Sequence, residues 1–147
     1  MKTPSLAIGQ LFKYTAIIMC INLACNNGTK NFHMESFVVD THNDVLLRSM
    51  LGRDILTDLP ESHSDLIKFK KGGMDLQVFS IWVSPYLFAN DESFEEANNM
   101  IDELEAQCLR VPDQWSIPMN YQDIIYNEQH NILSCMIGVE GGHAIEN

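Results

Sequence analysis

His42 and Asp44 offer the clearest chemistry in this chain. An imidazole and a carboxylate two residues apart on a strand emerge on the same face. Mixed nitrogen and oxygen donors at that spacing can grip one divalent metal, although the pair alone is unselective; a polar strand end is the plain alternative. Glu140 strengthens the pattern. It ends another apolar run and is followed by Gly141 and Gly142, and glycines permit close backbone approach around a ligand. A carboxylate there can bridge two metals and so act as a catalytic group. Two ions about 3.5–4 Å apart can share a hydroxide and polarise a carbonyl. A solvent-facing Glu in a tight turn is the competing reading. Asp40 precedes the pair on the same face, where it could orient His42 from behind or merely cap the barrel interior. His143 is read as a hydrogen-bonded structural histidine rather than a further ligand. His63 belongs to the start of a helix, and His33 and His130 to the surface. No G-x-S-x-G supports a serine nucleophile. No phosphate-cradling loop is present either, since Gly72-Gly73 ends a helix and Gly141-Gly142 lacks that motif's Lys.

The elements that must position these groups alternate in type. Phe37 to Asp44 reads as a strand with its chemistry at the C-terminal tip. Ser62 and Asp65 have capping-box spacing ahead of Leu66 to Lys71. Lysines crowd the last turn, where they suit the helix dipole, and Gly72 is a natural C-cap. Met74 to Ser84 is rich in β-formers and stops at Pro85, a second and largely buried strand. Asp91 to Arg110 is the clearest helix, with Phe94, Ala97, Ile101, Leu104 and Cys108 along one face. Its acidic residues form a solvated face rather than a metal cluster. Val111 to Pro118 reads as irregular. Asn120 caps a helix over Tyr121 to Gln129, and Ile132 to Val139 is a third buried strand ending at Glu140. Buried strands joined through helices argue for parallel pairing with right-handed crossovers, and such folds build their sites just past the strand ends.

Composition narrows the field. The 147 residues are 46% hydrophobic and 20% charged, as in an ordinary globular domain. The net charge of −11 leaves no basic footprint for nucleic acid. No apolar run has the length of an internal membrane-spanning helix. Residues 1–24 carry only Lys2 and Lys13 as charges and contain the apolar stretch Tyr14 to Ala24, which has the size of a secretory signal's central region. Leu23-Ala24-Cys25 then meets a polar tether, residues 25–36, as at a bacterial lipoprotein cleavage site, although Asn22 stands where that site usually carries an aliphatic residue. The expectation is an exported, periplasmic or cell-envelope protein anchored to the membrane through a lipid on Cys25, with a plain signal peptide and an incidental Cys as the alternative. Of the other cysteines, Cys20 leaves with the signal, and Cys108 and Cys135 read as buried thiols rather than a disulfide.

Two segments resemble a known family. Val38-Val39-Asp40-Thr41-His42-Asn43-Asp44 is similar to the opening strand of the membrane dipeptidase (renal dipeptidase) family, with its D-G-H-N-D core; Thr41 departs from the usual Gly. Ile137-Gly138-Val139-Glu140-Gly141-Gly142-His143 resembles that family's G-V-E-G-G-H segment. Ser62 to Leu66, Lys71 to Gly73 and Gln77 to Val83 look like the helix and strand between them. The resemblance covers residues 37–147. It implies an α/β fold, the first three or so βα units of a metal-dependent hydrolase (β/α)8 barrel, which in full takes roughly 250 residues. It also implies a binuclear zinc peptidase acting on dipeptides through a metal-bridging hydroxide. His42 and Asp44 would bind the first zinc and Glu140 would bridge both. Related amidohydrolases use His-x-His at the first position, so Asp44 favours the dipeptidase branch. In the family, two further histidines for the second zinc, and an Asp and an Arg that assist chemistry, follow the third strand. The expectation is therefore an N-terminal portion that holds at most one zinc well and is inactive by itself. A non-catalytic exported lipoprotein or gene remnant, and a metal-dependent hydrolase of another amide or lactam, remain as alternatives.

Overall fold

The computed structural model describes residues 32–88 and 91–145. The expected signal segment, Cys25 and most of the tether lie outside them. Two compact units divide the chain, residues 1–35 and 36–147. Of the first, Phe32 to Glu35 form a turn. The second carries the sheet.

Four parallel strands make that sheet: β1 (Val39–Asn43), β2 (Leu76–Trp82), β3 (Trp115–Ser116) and β4 (Leu133–Glu140), in the order β1-β2-β4-β3. Helices fill the connections: α1 (Leu46–Met50), α2 (Leu66–Lys71), α3 (Asp91–Arg110) and α4 (Tyr121–Gln129). A 3-10 turn over Gly142–Ile145 follows β4. The architecture is the parallel α/β arrangement that the alternation of elements implies.

Phe79 and Ile81 of β2 are fully buried. Phe79 meets Phe69 of α2 and Trp115 edge-on, with ring centroids 6.1 and 5.6 Å apart. Aromatic pairs favour that arrangement. The α3 face differs from the sequence expectation. Ser93, Ala97, Met100, Leu104 and Cys108 are buried, whereas Phe94 is half exposed. The buried stripe is rotated by one residue at the helix start, where the Ser93 hydroxyl donates to the Phe88 carbonyl at 3.1 Å. Glu103 also leaves the solvated face: it accepts from Ser49 of α1 and from Gln107. Nearby, Arg110 grips Asp54 through both guanidinium arms, at 3.1 and 3.0 Å. That hydrogen bonding holds the Asp54 carboxyl below its usual range against the opposing effect of burial. Cys108 and Cys135 are free and buried. Burial, then the neighbouring Cys108 thiol, pushes the Cys135 thiol well up.

Three further differences have local causes. The two-residue strand β3 lies inside the segment expected to be irregular; it is too short to show a period. Trp115 anchors it, fully buried, with its indole N–H donating to the Gln107 carbonyl at 3.1 Å. Helix α1 is likewise new, and a five-residue helix falls below the length at which periodicity can be read. Helix α2 begins later than the capping-box spacing suggests. Its N-cap is Asp65, not Ser62.

Asp65 is fully buried. It accepts from the Lys68 amide at 2.8 Å, from the Leu59 amide at 3.0 Å and from the Lys68 ammonium. Burial raises its carboxyl pKa, but the Lys68 and amide donors outweigh that and leave it lowered. A carboxyl depressed in the folded state stabilises fully above its unfolded pKa of about 3.9 and loses that contribution as pH falls through the folded value. Asp65→Ala strips a cap and leaves buried donors unpaired, so it should cost about 2–4 kcal/mol in urea denaturation. Wild-type stability should also fall as pH drops below about 4, with a weaker acid dependence in Asp65→Asn.

Candidate metal centre

Parallel pairing brings the strand tips to one rim. Trp82 is in register with Glu140 at the ends of β2 and β4. In β1, Asp40 pairs with Gln77 and Asn43 with Phe79, so β1 holds one extra residue across that interval. Such a bulge re-aims side chains. Asn43 then ends the strand: its side-chain oxygen accepts from the Val45 amide at 2.9 Å, a turn that Asn favours. Asp44 therefore sits just past β1, in the turn.

His42 Nε2 lies 3.5 Å from Asp44 Oδ1 and 3.7 Å from Glu140 Oε2. The three donor atoms all fall within 4.8 Å of one another. Donors sharing one zinc at bond lengths of about 2.0–2.1 Å stand roughly 3.3 Å apart at a tetrahedral angle. The two measured edges are near that spacing, and one imidazole with two carboxylates is a donor set suited to zinc and similar divalent ions. All three side chains are about half exposed. A hollow of about 380 Å³ opens over them, walled also by Leu47 and Trp82. A second, of about 360 Å³, shares His42 and Asp44 and continues past Arg48, Glu61 and His63.

Asp40 does not reach the imidazole. The strand register shifts between Asp40 and Asn43, so regular alternation does not hold across this stretch. Asp40 Oδ1 instead accepts from the His42 backbone amide at 3.2 Å, and Oδ2 lies 3.5 Å from Asn43 Nδ2. Thr41 is exposed, and so is His63, which stands in the loop before α2 rather than in the helix. His33 is exposed in the turn of the first unit. His130 caps the end of α4 and stacks on Tyr126 at 3.9 Å.

Two contacts hold the β4 end of the rim. The His143 ring donates from Nε2 to the Val83 carbonyl at 2.7 Å, tying the turn after β4 to the end of β2. That reach depends on Gly141, whose φ is +87°. A Cβ there would lie 2.6 Å from His143 Cε1. The second contact was not anticipated from the sequence: the Ser80 hydroxyl of β2 donates to Glu140 Oε2 at 3.0 Å. A polar residue in the middle of an apolar strand was the available signal.

A family model described as Membrane dipeptidase (Peptidase family M19) matches residues 27–147. The chain belongs to the membrane dipeptidase family. It is also similar to a crystal structure of a dipeptidase, a metallopeptidase of the M19 family, with a TM-score of 0.64 and 22% identity. The match covers 75% of this chain and 36% of that one. The parallel sheet and its helices thus correspond to part of the TIM barrel of an M19 dipeptidase. Within the membrane dipeptidase family resemblance, the G-V-E-G-G-H segment is where β4, Gly141 and the His143 tie occur together.

Gly141→Ala forces a left-handed backbone on a residue with a Cβ, at about 1–2 kcal/mol, and displaces the His143 ring. We expect a lower urea midpoint than wild type. In His143→Ala the ring is gone, so adding Gly141→Ala on that background should cost less than it does in the wild type.

Proposed function

We propose that this chain supplies the metal-holding rim of an exported zinc dipeptidase. His42 and Asp44 would hold one ion, and Glu140 would be shared between that ion and a second. When bound, zinc would supply Lewis acidity toward a peptide carbonyl and acidify a water molecule. The protein's part is placement. The bulge and the Asn43 turn aim His42 and Asp44, and β4 carries Glu140 to meet them. Leu47 and Trp82 wall the hollow in which a dipeptide's peptide bond would lie beside the three donors.

The observation that carries this reading is the meeting of the donors. His42 and Glu140 come from opposite ends of the domain sequence, yet their donor atoms stand 3.7 Å apart. Membership of the membrane dipeptidase family supports the reaction class. The chain spans 36% of the matched dipeptidase, so zinc binding is the first test, because it does not require turnover. The full chain should bind zinc, measured by chelator competition. His42→Ala and Glu140→Ala should each weaken binding by at least about tenfold. Affinity unchanged by both would remove the proposal. In any form of this protein that hydrolyses dipeptides, either substitution should abolish turnover.

We also propose export and lipidation at Cys25, supported by the Leu23-Ala24-Cys25 pattern and the polar tether. Among the described residues no helix is long and apolar enough to cross a membrane. The protein expressed in a bacterial host should sediment with membranes, and Cys25→Ser should move it to the soluble envelope fraction. Equal distribution of the two proteins would exclude the anchor.

A further inference from the structure

We propose that Ser80 is a positioning residue for Glu140, fixing which oxygen lone pairs of that carboxylate are presented to metal; this rests on the function proposed above. Ser80 is 2% exposed, in the middle of β2, between the fully buried Phe79 and Ile81. A serine has no packing advantage at such a position, and burying a hydroxyl is unfavourable unless it is hydrogen-bonded. Its hydroxyl meets that need by donating to Glu140 Oε2 at 3.0 Å.

The geometry gives the bond a purpose at the rim. Ser80 is in register with Gly138, and Trp82 with Glu140. Glu140 stands two residues beyond Gly138 on the same face of β4, which brings its carboxylate beside the Ser80 hydroxyl. The oxygen that accepts from Ser80 is also the one 3.7 Å from His42 Nε2. An ionised carboxylate oxygen offers about two lone-pair sites. Ser80 occupies one on Oε2, leaving one there and both on Oε1. Without this donor, a half-exposed Glu at a strand end is free to turn its carboxylate plane. A hydroxyl suits the task because it carries no charge. A Lys or Arg in its place would pair with the carboxylate and compete with a cation for it.

The test uses zinc alone as probe, with the full chain. Ser80→Ala should lower zinc affinity by about 10–100-fold, the range for losing a partner of a metal-ligating group. Its urea midpoint should stay near wild type, because Glu140 is exposed enough for water to replace the lost donor. Ser80→Thr keeps the hydroxyl and should retain most of the affinity; Ser80→Cys, with a weak donor, should not. Wild-type affinity in Ser80→Ala, or equal affinity in the Thr and Cys variants, would overturn the proposal. If the alanine variant does not fold, the Thr and Cys pair decides. A wild-type chain that binds no zinc would defeat the function reading itself. If His42→Ala and Glu140→Ala weaken binding while Ser80→Ala does not, only the role of Ser80 falls.

Discussion

The pairing of β2 with β4 is the constraint on which the rest of the structure depends. The register runs without a break from Leu76 opposite Ser134 to Trp82 opposite Glu140. Side chains alternate along each strand, so a slip by one residue would carry Glu140 to the opposite face. The core guards against that slip. Phe79, Ile81 and Cys135 are fully buried on the helix-covered side, and a shifted strand would bring Ser80 and Glu140 into their places. Hydrophobic burial on one face therefore fixes polar chemistry on the other.

The first strand solves a different problem. A regular strand leads on toward the next helix, whereas the rim needs His42 and Asp44 turned toward β4. One extra residue between Asp40 and Asn43 and an Asn side chain closing the turn achieve this. The connection that follows is fastened by polar contacts as well as packing. Ser49 and Gln107 join α1 to α3, and Arg110 clasps Asp54. The metal-facing edge thus stands on a layer in which hydrogen bonds and apolar side chains share the work.

How much of this was legible in the sequence depends on length scale. Helix α3 and helix α4 have the bounds their capping and periodicity suggest, because each offers at least two turns of pattern. The three long strands were readable as β-rich runs with polar tips. Short elements were not: Trp115–Ser116 and Leu46–Met50 owe their form to tertiary burial, which no local period records. The site divides in the same way. The residue types and order of His42, Asp44 and Glu140 pointed to metal chemistry. The register shift that leaves Asp40 on the His42 amide, and the Ser80 contact, depend on which strands lie side by side. Asp65 shows the limit most clearly. Its spacing from Ser62 suggested the far end of a capping box, but its burial and three donors make it the cap itself.

Gly141 and His143 are neighbours that constrain each other. The imidazole occupies the space that any side chain at position 141 would need, and the glycine's backbone angle brings the ring to the Val83 carbonyl. Effects of changes at touching positions do not simply add. Removing the histidine first would relieve the clash with a side chain at 141, but the left-handed backbone there would still resist one. Glycine and imidazole therefore act as a single interlocking piece, and altering either one changes what the other can tolerate.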